Sequence, residues 1–302
     1  MTKLIVVFGA TGAQGGSVIK FVSRHKDFKI RAVTRDPTKD SAKKLEKEYG
    51  VELVKGDLND TEFPKSVFED AYGVFLVTNF WDPASQGKEF GQGKRIADLA
   101  KEAGVKHFQW SSLSDVEKES NGKYDVPHFT QKAKLETYIR SKGFEFTSFP
   151  AAAFYYQNFL TFFPPKKDEK TGKLTFTLPE SSSVTAFDVN DTGAVVTAAF
   201  QHPHKWNGRF IPISGEHFTW SEFIEKFNKA TGKGAVLNLV PRETFAKFGF
   251  PGAEELAEMF GWFDEFGYYG RAGKRELGLR AYHDLKSLSE WFEENKSAFD
   301  KF

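Results

Sequence analysis

Short, mostly apolar runs recur along the first half of the chain, and a segment of helical period follows most of them. KLIVVFG, at 3–9, is the first: an apolar stretch closed by glycine, as expected of a strand covered on both faces. AQGGSVIKFVSRH then has helical character, FKIRAVTR predicts a second strand, and SAKKLEKEYG a charged helix stopped by glycine. VELVKGD, AYGVFLVTN and VKHFQWSS predict three further strands. Between the last two, GKRIADLAKEAG places Ile96, Leu99, Ala100 and Ala103 on one helical face. KAKLETYIRSKG and FEFTSFP add another helix–strand pair. This alternation predicts an α/β fold, a Rossmann-type doubly wound parallel sheet with right-handed crossovers.

After Pro150 the rhythm changes. AAAFYYQNFLTFFPPKK is aromatic and DEKTGK reads as a turn, whereas VNDTGAVVTAAFQHP is helical and GRFIPISG predicts a strand returning to the main sheet. From about 218, TWSEFIEKFNKATGK, RETFAKFGFPGAEELAEMFGWF and LKSLSEWFEENKSAF all have helical character. The expected division is a nucleotide-binding domain at 1–150, rejoined at 187–214, and a smaller, mostly helical C-terminal lobe within 151–302. Between Phe245 and Tyr269, Leu256, Met259, Phe260 and Phe263 share a stripe flanked by Trp262 and Phe266. That stripe reads as core packing, with a lid or a partner face as the other readings.

Composition narrows the function classes. Hydrophobic residues make up 40% of the 302 and charged residues 27%, the balance of a globular chain in water. A net charge of +1 and a pI near 7.8 give no electrostatic footprint for nucleic acid or an anionic membrane. The absence of cysteine removes disulfides and thiolate ligands and fits a reducing compartment. The apolar run in MTKLIVVFGA is too short for a signal peptide or a membrane span, so a cytoplasmic, also nuclear, protein is expected. His202-Pro203-His204 reads as a surface turn rather than a metal site, and the Lys-Lys pairs at 43 and 166 as solvated faces. The 33 phenylalanines predict a Phe-rich core, or an aromatic pocket fed by the excess.

The chemistry concentrates at the carboxyl ends of the predicted strands. In FGATGAQGG, Gly9, Gly12 and Gly15 sit where the first strand meets the first helix. There the first glycine permits a tight turn, the second lets backbone approach a pyrophosphate, and the third lets helix pack on strand. The helix N-terminus adds free N–H groups and partial positive charge. Strand two ends in Thr34 and Arg35, where an NAD-preferring fold carries Asp or Glu. A guanidinium suits a 2′-phosphate, Lys39 adds charge, and Asp36 opposes it if turned inward, so NADP(H) is expected over NAD(H). Asp57 and Leu58 follow strand three, Thr78, Asn79 and Phe80 strand four, and Ser111 and Ser112 strand five. In DVPHFTQKAKLE, helical spacing puts His128 and Lys132 on one face, a lysine placed to serve a bound nucleotide.

With GATGAQGG, AVTR, GDL, VTNFW, HFTQK and YYQN in order, and FGFPGAEELAEMF at 248–260, the chain resembles the NmrA-like family over nearly its whole length. This is an atypical branch of the short-chain dehydrogenases, and the likeness is to members described as NADP(H) sensors. The resemblance implies that Gly9, Thr11, Gly12, Ala13, Gln14 and Gly15 bind pyrophosphate, and that Arg35, with Lys39 nearby, takes the 2′-phosphate. It further implies cofactor contacts from Asp57, Leu58, Thr78, Asn79, Phe80, Lys132, Tyr155, Tyr156, Gln157 and Asn158. Short-chain dehydrogenases usually act through Tyr-x-x-x-Lys with a Ser from strand five. Here Lys132 and Ser111 are present, but His128 replaces the tyrosine. Histidine can donate a proton near neutral pH, although an adjacent ammonium depresses its pKa; Tyr155 or Tyr156 are the substitutes. Two functions follow from the resemblance. One is a redox sensor that couples NADPH level to a regulatory protein partner. The other is an NADPH-dependent oxidoreductase acting on a small aromatic or carbonyl substrate, a quinone or a conjugated alkene.

Overall fold

Val6 and Val7 are fully buried on opposite faces of the first strand, so helices must cover the sheet on both sides. The structure is a computed structural model, describing residues 2–270 and 280–302. Its first half runs β1 (Lys3–Val7), α1 (Ala13–Val22), β2 (Phe28–Thr34), α2 (Asp40–Tyr49), β3 (Glu52–Lys55), β4 (Ala71–Leu76), α3 (Glu89–Glu102), β5 (His107–Trp110), α4 (Val116–Glu119), α5 (Pro127–Ser141) and β6 (Phe146–Ala152). Then follow β7 (Phe154–Tyr155), β8 (Lys166–Lys167), β9 (Leu174–Pro179), β10 (Val184–Phe187), α6 (Thr192–Gln201), α7 (Pro203–Trp206), β11 (Arg209–Ile213) and β12 (Glu216–Phe218). Last come α8 (Trp220–Thr231), β13 (Val236–Val240), α9 (Arg242–Phe245), α10 (Ala253–Phe266) and α11 (Leu288–Asn295).

The main sheet has seven strands in the order β11-β6-β5-β4-β1-β2-β3, and every pairing is parallel. The winding reverses between β1 and β4, which opens a crevice at the carboxyl ends of those strands. Ile5 and Val7 join Val18, Ile19, Val196 and Phe200 on the face covered by α1 and α6. Val6 and Phe8 join Ile96, Trp110, Leu135 and Ile139 on the face covered by α3 and α5. A third cluster, rich in Phe and Trp, holds the C-terminal region, and Met259, Phe260, Trp262 and Phe263 of α10 are buried in it. The 245–269 stripe is therefore core, with Trp262 inside it rather than flanking it.

Three further differences from the sequence pattern have physical causes. Strand β6 runs through Pro150 to Ala152, because at Pro150 only the carbonyl is needed, and it accepts from Ser112 N at 3.0 Å. Ala103 is exposed because α3 closes at Gly104, φ +80°, and Ala97 takes its place on the buried face. The C-terminal region also contains two three-stranded sheets, β12-β10-β7 and β13-β9-β8, alongside its helices. Their strands are as short as two residues, and β13 pairs with β9, some sixty positions earlier, so local pattern does not display them.

The end of β1 is built around a close approach. Gly9 has φ +61°, and a Cβ on Gly15 would lie 2.2 Å from the Gly9 carbonyl oxygen. One residue further along, a Cβ on Gly16 meets nothing nearer than 3.6 Å. Gly15→Ala is therefore expected to lower stability by about 1–3 kcal/mol in urea unfolding, through overpacking against backbone. Gly16→Ala, in the same helix, is expected to be neutral or stabilising by up to about 1 kcal/mol. Equal effects would contradict the packing described.

The start of α6 is tied to remote chain. Ser17 Oγ donates to Asn190 O at 2.6 Å, and Lys286 N donates to Asp191 Oδ2 at 2.9 Å. Burial pushes the Asp191 carboxyl up to about 6, and the Asp188 carboxylate pushes the same way against the Lys286 N–H. A folded-state pKa above the unfolded value means that this group favours folding when protonated and loses that contribution as pH rises from about 4 to 6. Asp191→Asn should therefore match wild type at pH 4 and exceed it by about 2 kcal/mol at pH 7, after allowance for residual screening. Denaturant unfolding at the two pH values checks this.

Candidate functional site

Helix α1 begins at Gly12 in extended conformation, with no side chain capping its first N–H groups. Thr11, Gly12 and Ala13 are exposed there, at the crevice above β1. From the first turn Gln14 reaches two other parts of the fold. Ser111 Oγ, beyond β5, donates to Gln14 Oε1 at 2.9 Å, and Gln14 Nε2 donates to the Tyr155 hydroxyl at 2.7 Å. Burial holds the Tyr155 hydroxyl above the ordinary phenol range, against the Gln14 hydrogen bond. It is a weaker acid than a free tyrosine.

Arg35 follows β2 and pairs with Asp82, Nη1 to Oδ2 at 2.8 Å, while 64% of its side chain stays exposed. Lys39 is the exposed N-cap of α2. Asp36 does not turn toward Arg35. Its Oδ1 accepts from both the N and Oγ1 of Thr38, at 2.9 and 2.6 Å, and those bonds hold its carboxyl below the usual range. Asp57 Oδ1 accepts from Asn59 N at 2.9 Å, and Leu58 packs on the core beneath. Asn79 Oδ1 accepts from Trp81 N at 3.2 Å.

The sequence expectation set Lys132 beside His128 as its electrostatic neighbour. The structure gives each a carboxylate instead. The Lys132 ammonium is buried and donates to Glu89 Oε1, and to Thr78 Oγ1 at 3.2 Å; the Thr78 hydroxyl donates to the same carboxylate oxygen. Trp110 Nε1 donates to the Lys132 carbonyl at 3.0 Å. His128 faces Glu255, from α10, through its backbone N at 2.8 Å and through its ring Nδ1. Its ring lies 5.8 Å from that of Phe80 and 5.1 Å from that of Trp81.

Among the YYQN residues only Tyr155 joins these groups. Tyr156 is fully buried, its ring 5.7 Å from Trp291 and its hydroxyl donating to Lys286 O at 3.3 Å. Gln157 Nε2 donates to Asp188 Oδ1 at 2.6 Å. Asn158 accepts from Thr161 N and Phe163 N through its carbonyl. Ser112 is buried behind Ser111, its N donating to Pro150 O.

Sequence reasoning missed Glu89, Asp82 and Glu255. Glu89 left a signal, since it shares the buried register of α3 with Gln92, Gly93, Ile96 and Ala100, where a carboxylate needs a partner. Asp82 precedes Pro83 and reads as a turn initiator. Glu255 looks like an ordinary acidic residue in a first helical turn.

Residues 1–293 match the family model described as the NmrA-like family. An NmrA-like family domain-containing protein of Dictyostelium discoideum is 32% identical over 306 residues, 97% of each chain. An NmrA-like family domain-containing oxidoreductase of Aspergillus hancockii is 32% identical over 327 residues, again 97% of each chain. Among solved structures, Nmra, a negative transcriptional regulator, in complex with NADP aligns at TM-score 0.81 and 23% identity, covering 99% of this chain and 97% of that one. The same regulator has been solved in complex with NAD.

Removing one member of a buried ion pair strands the other. Lys132→Met is expected to lower stability by about 3–5 kcal/mol, and the double variant Lys132→Met/Glu89→Gln to recover most of that loss. A single variant within about 1 kcal/mol of wild type in urea unfolding would show that the pair is not held as described.

Proposed function

The chain belongs to the NmrA-like family, and from that premise we propose that it is an NADP(H)-binding regulatory protein that couples NADPH level to partner binding. The observation that carries this reading is that Lys132 and His128 are each held by a carboxylate. Lys132 is neutralised by Glu89, His128 is held by Glu255, and burial makes the Tyr155 hydroxyl a weak acid. A carboxylate paired with a lysine offsets much of the pull that the ammonium exerts on a neighbour's pKa. The residues present fit the cofactor: the cradle at Gly9 and Gly15 leaves no room for side chains, and the first turn of α1 is uncapped. The glycine turn would hold pyrophosphate, Arg35 and Lys39 the 2′-phosphate, and Asp57, Leu58, Thr78, Asn79, Phe80, Lys132 and Tyr155 the remainder. Residues 1–150 with 187–214 form the cofactor-binding part in this proposal, and the rest of 151–302 faces the partner or substrate.

A second reading, an NADPH-dependent reductase, is favoured by one arrangement. Gln14 donates to Tyr155, which leaves the phenolic hydrogen without an acceptor among the described residues, and Phe80 and Trp81 wall the space beside His128. The nicotinamide would supply hydride, and Tyr155 would hold the proton. The related Aspergillus hancockii protein carries an oxidoreductase name.

Binding and turnover separate the two. NADPH is expected to bind more tightly than NADH, and Arg35→Ala to weaken NADPH roughly tenfold or more while sparing NADH. Loss of NADPH absorbance is not expected with a panel of quinones and aldehydes. Turnover abolished by Tyr155→Phe would select the reductase instead.

A further inference from the structure

Strand β1 lies between β4 and β2, so a contact from the chain beyond β4 to the chain beyond β2 spans the carboxyl end of β1. Arg35 and Asp82 make that contact. The two partners are held unequally. Asp82 is mostly buried, and its Oδ1 accepts from Ala84 N at 3.0 Å as the cap of the short helix at 83–85, which leaves Oδ2 for the guanidinium. Arg35 is largely exposed, so the carboxylate is the fixed end and the guanidinium the movable one. Asp36 does not compete for Arg35, since its oxygen is taken by Thr38.

We propose that Asp82 is a specificity-determining residue: a carboxylate clasp across the crevice that stands in for a 2′-phosphate on Arg35, compatible with bound NAD(H) and displaced by NADP(H). The inference rests on the reading that a nicotinamide dinucleotide binds above the β1 turn. Its physical content is competition. The Asp82 contact engages one guanidinium N–H, Nη1, which is then not free for a paired contact with a 2′-phosphate, so free energy of the Arg35–Asp82 pair is subtracted from binding of the phosphorylated cofactor and not from binding of the other. The carboxylate also repels the incoming phosphate. The clasp thus reduces the NADP(H) preference that Arg35 creates. It also gives the phosphate a mechanical consequence. Asp82 follows Trp81, whose ring packs 5.1 Å from that of His128 and lies against Gly252 at the start of α10, so opening the clasp removes one tie on the turn that links the crevice to the C-terminal region, while the Ala84 cap remains.

The test is calorimetric titration of wild type and Asp82→Asn with NADP+ and with NAD+ at one low ionic strength. Asparagine keeps an oxygen to cap Ala84 and removes only the charge, and a thermal melt confirms that the variant is folded. The expected result is NADP+ affinity raised roughly three- to tenfold, with NAD+ changed by less than about twofold. Amide exchange in residues 79–86 of wild type should be faster with saturating NADP+ than with NAD+, and that difference should vanish in Asp82→Asn. Equal changes for both nucleotides, no change, or weaker NADP+ binding would overturn the clasp while leaving the cofactor reading intact. Wild type that binds neither nucleotide would overturn both.

Discussion

Between the carbonyl oxygen of Gly9 and the Cα of Gly15 there is no room for a methyl group, and the crevice depends on that contact. It seats α1 directly against the end of β1, so the uncapped first turn of the helix faces the reversal point of the sheet. Gln14 rides on that turn. Its amide accepts from Ser111 at the end of β5 and donates to Tyr155 beyond β6, joining α1 to both segments through one side chain.

Three basic side chains of the crevice each meet a carboxylate. Arg35 is answered by Asp82 and Lys132 by Glu89, while His128 meets Glu255. These pairs differ in kind. The first is exposed on one side and weakly held, which suits exchange for another anion. The second is buried, so its desolvation offsets much of its attraction, and it serves position more than stability. The third joins α5 to α10 beside Phe80 and Trp81, so it ties those rings to the C-terminal region.

The local sequence settled a good deal of this. The central strand β1 and its neighbour β4 announced themselves as apolar runs, because a strand buried on both faces has no polar alternation to confuse with another element. The turn at Gly9, Gly12 and Gly15 and the arginine after β2 were legible for the same reason: each depends on residues within a few positions, and backbone geometry supplies the rest. The family resemblance extended that reading to the residues along the crevice.

Only the folded chain decided which of those residues meet and what they meet. Tyr155 and Tyr156 are neighbours in sequence, yet one reaches Gln14 and the other is buried against Trp291. Lys132 and Glu89 are 43 positions apart, and His128 and Glu255 are 127 apart. The strand at Val236–Val240 exists because Leu174–Pro179 lies beside it. Periodicity and turn chemistry act over one or two helical turns, so sequence determines elements and their order. Electrostatic partners and edge pairings are chosen by whatever segment packs nearest, and packing is a property of the whole chain.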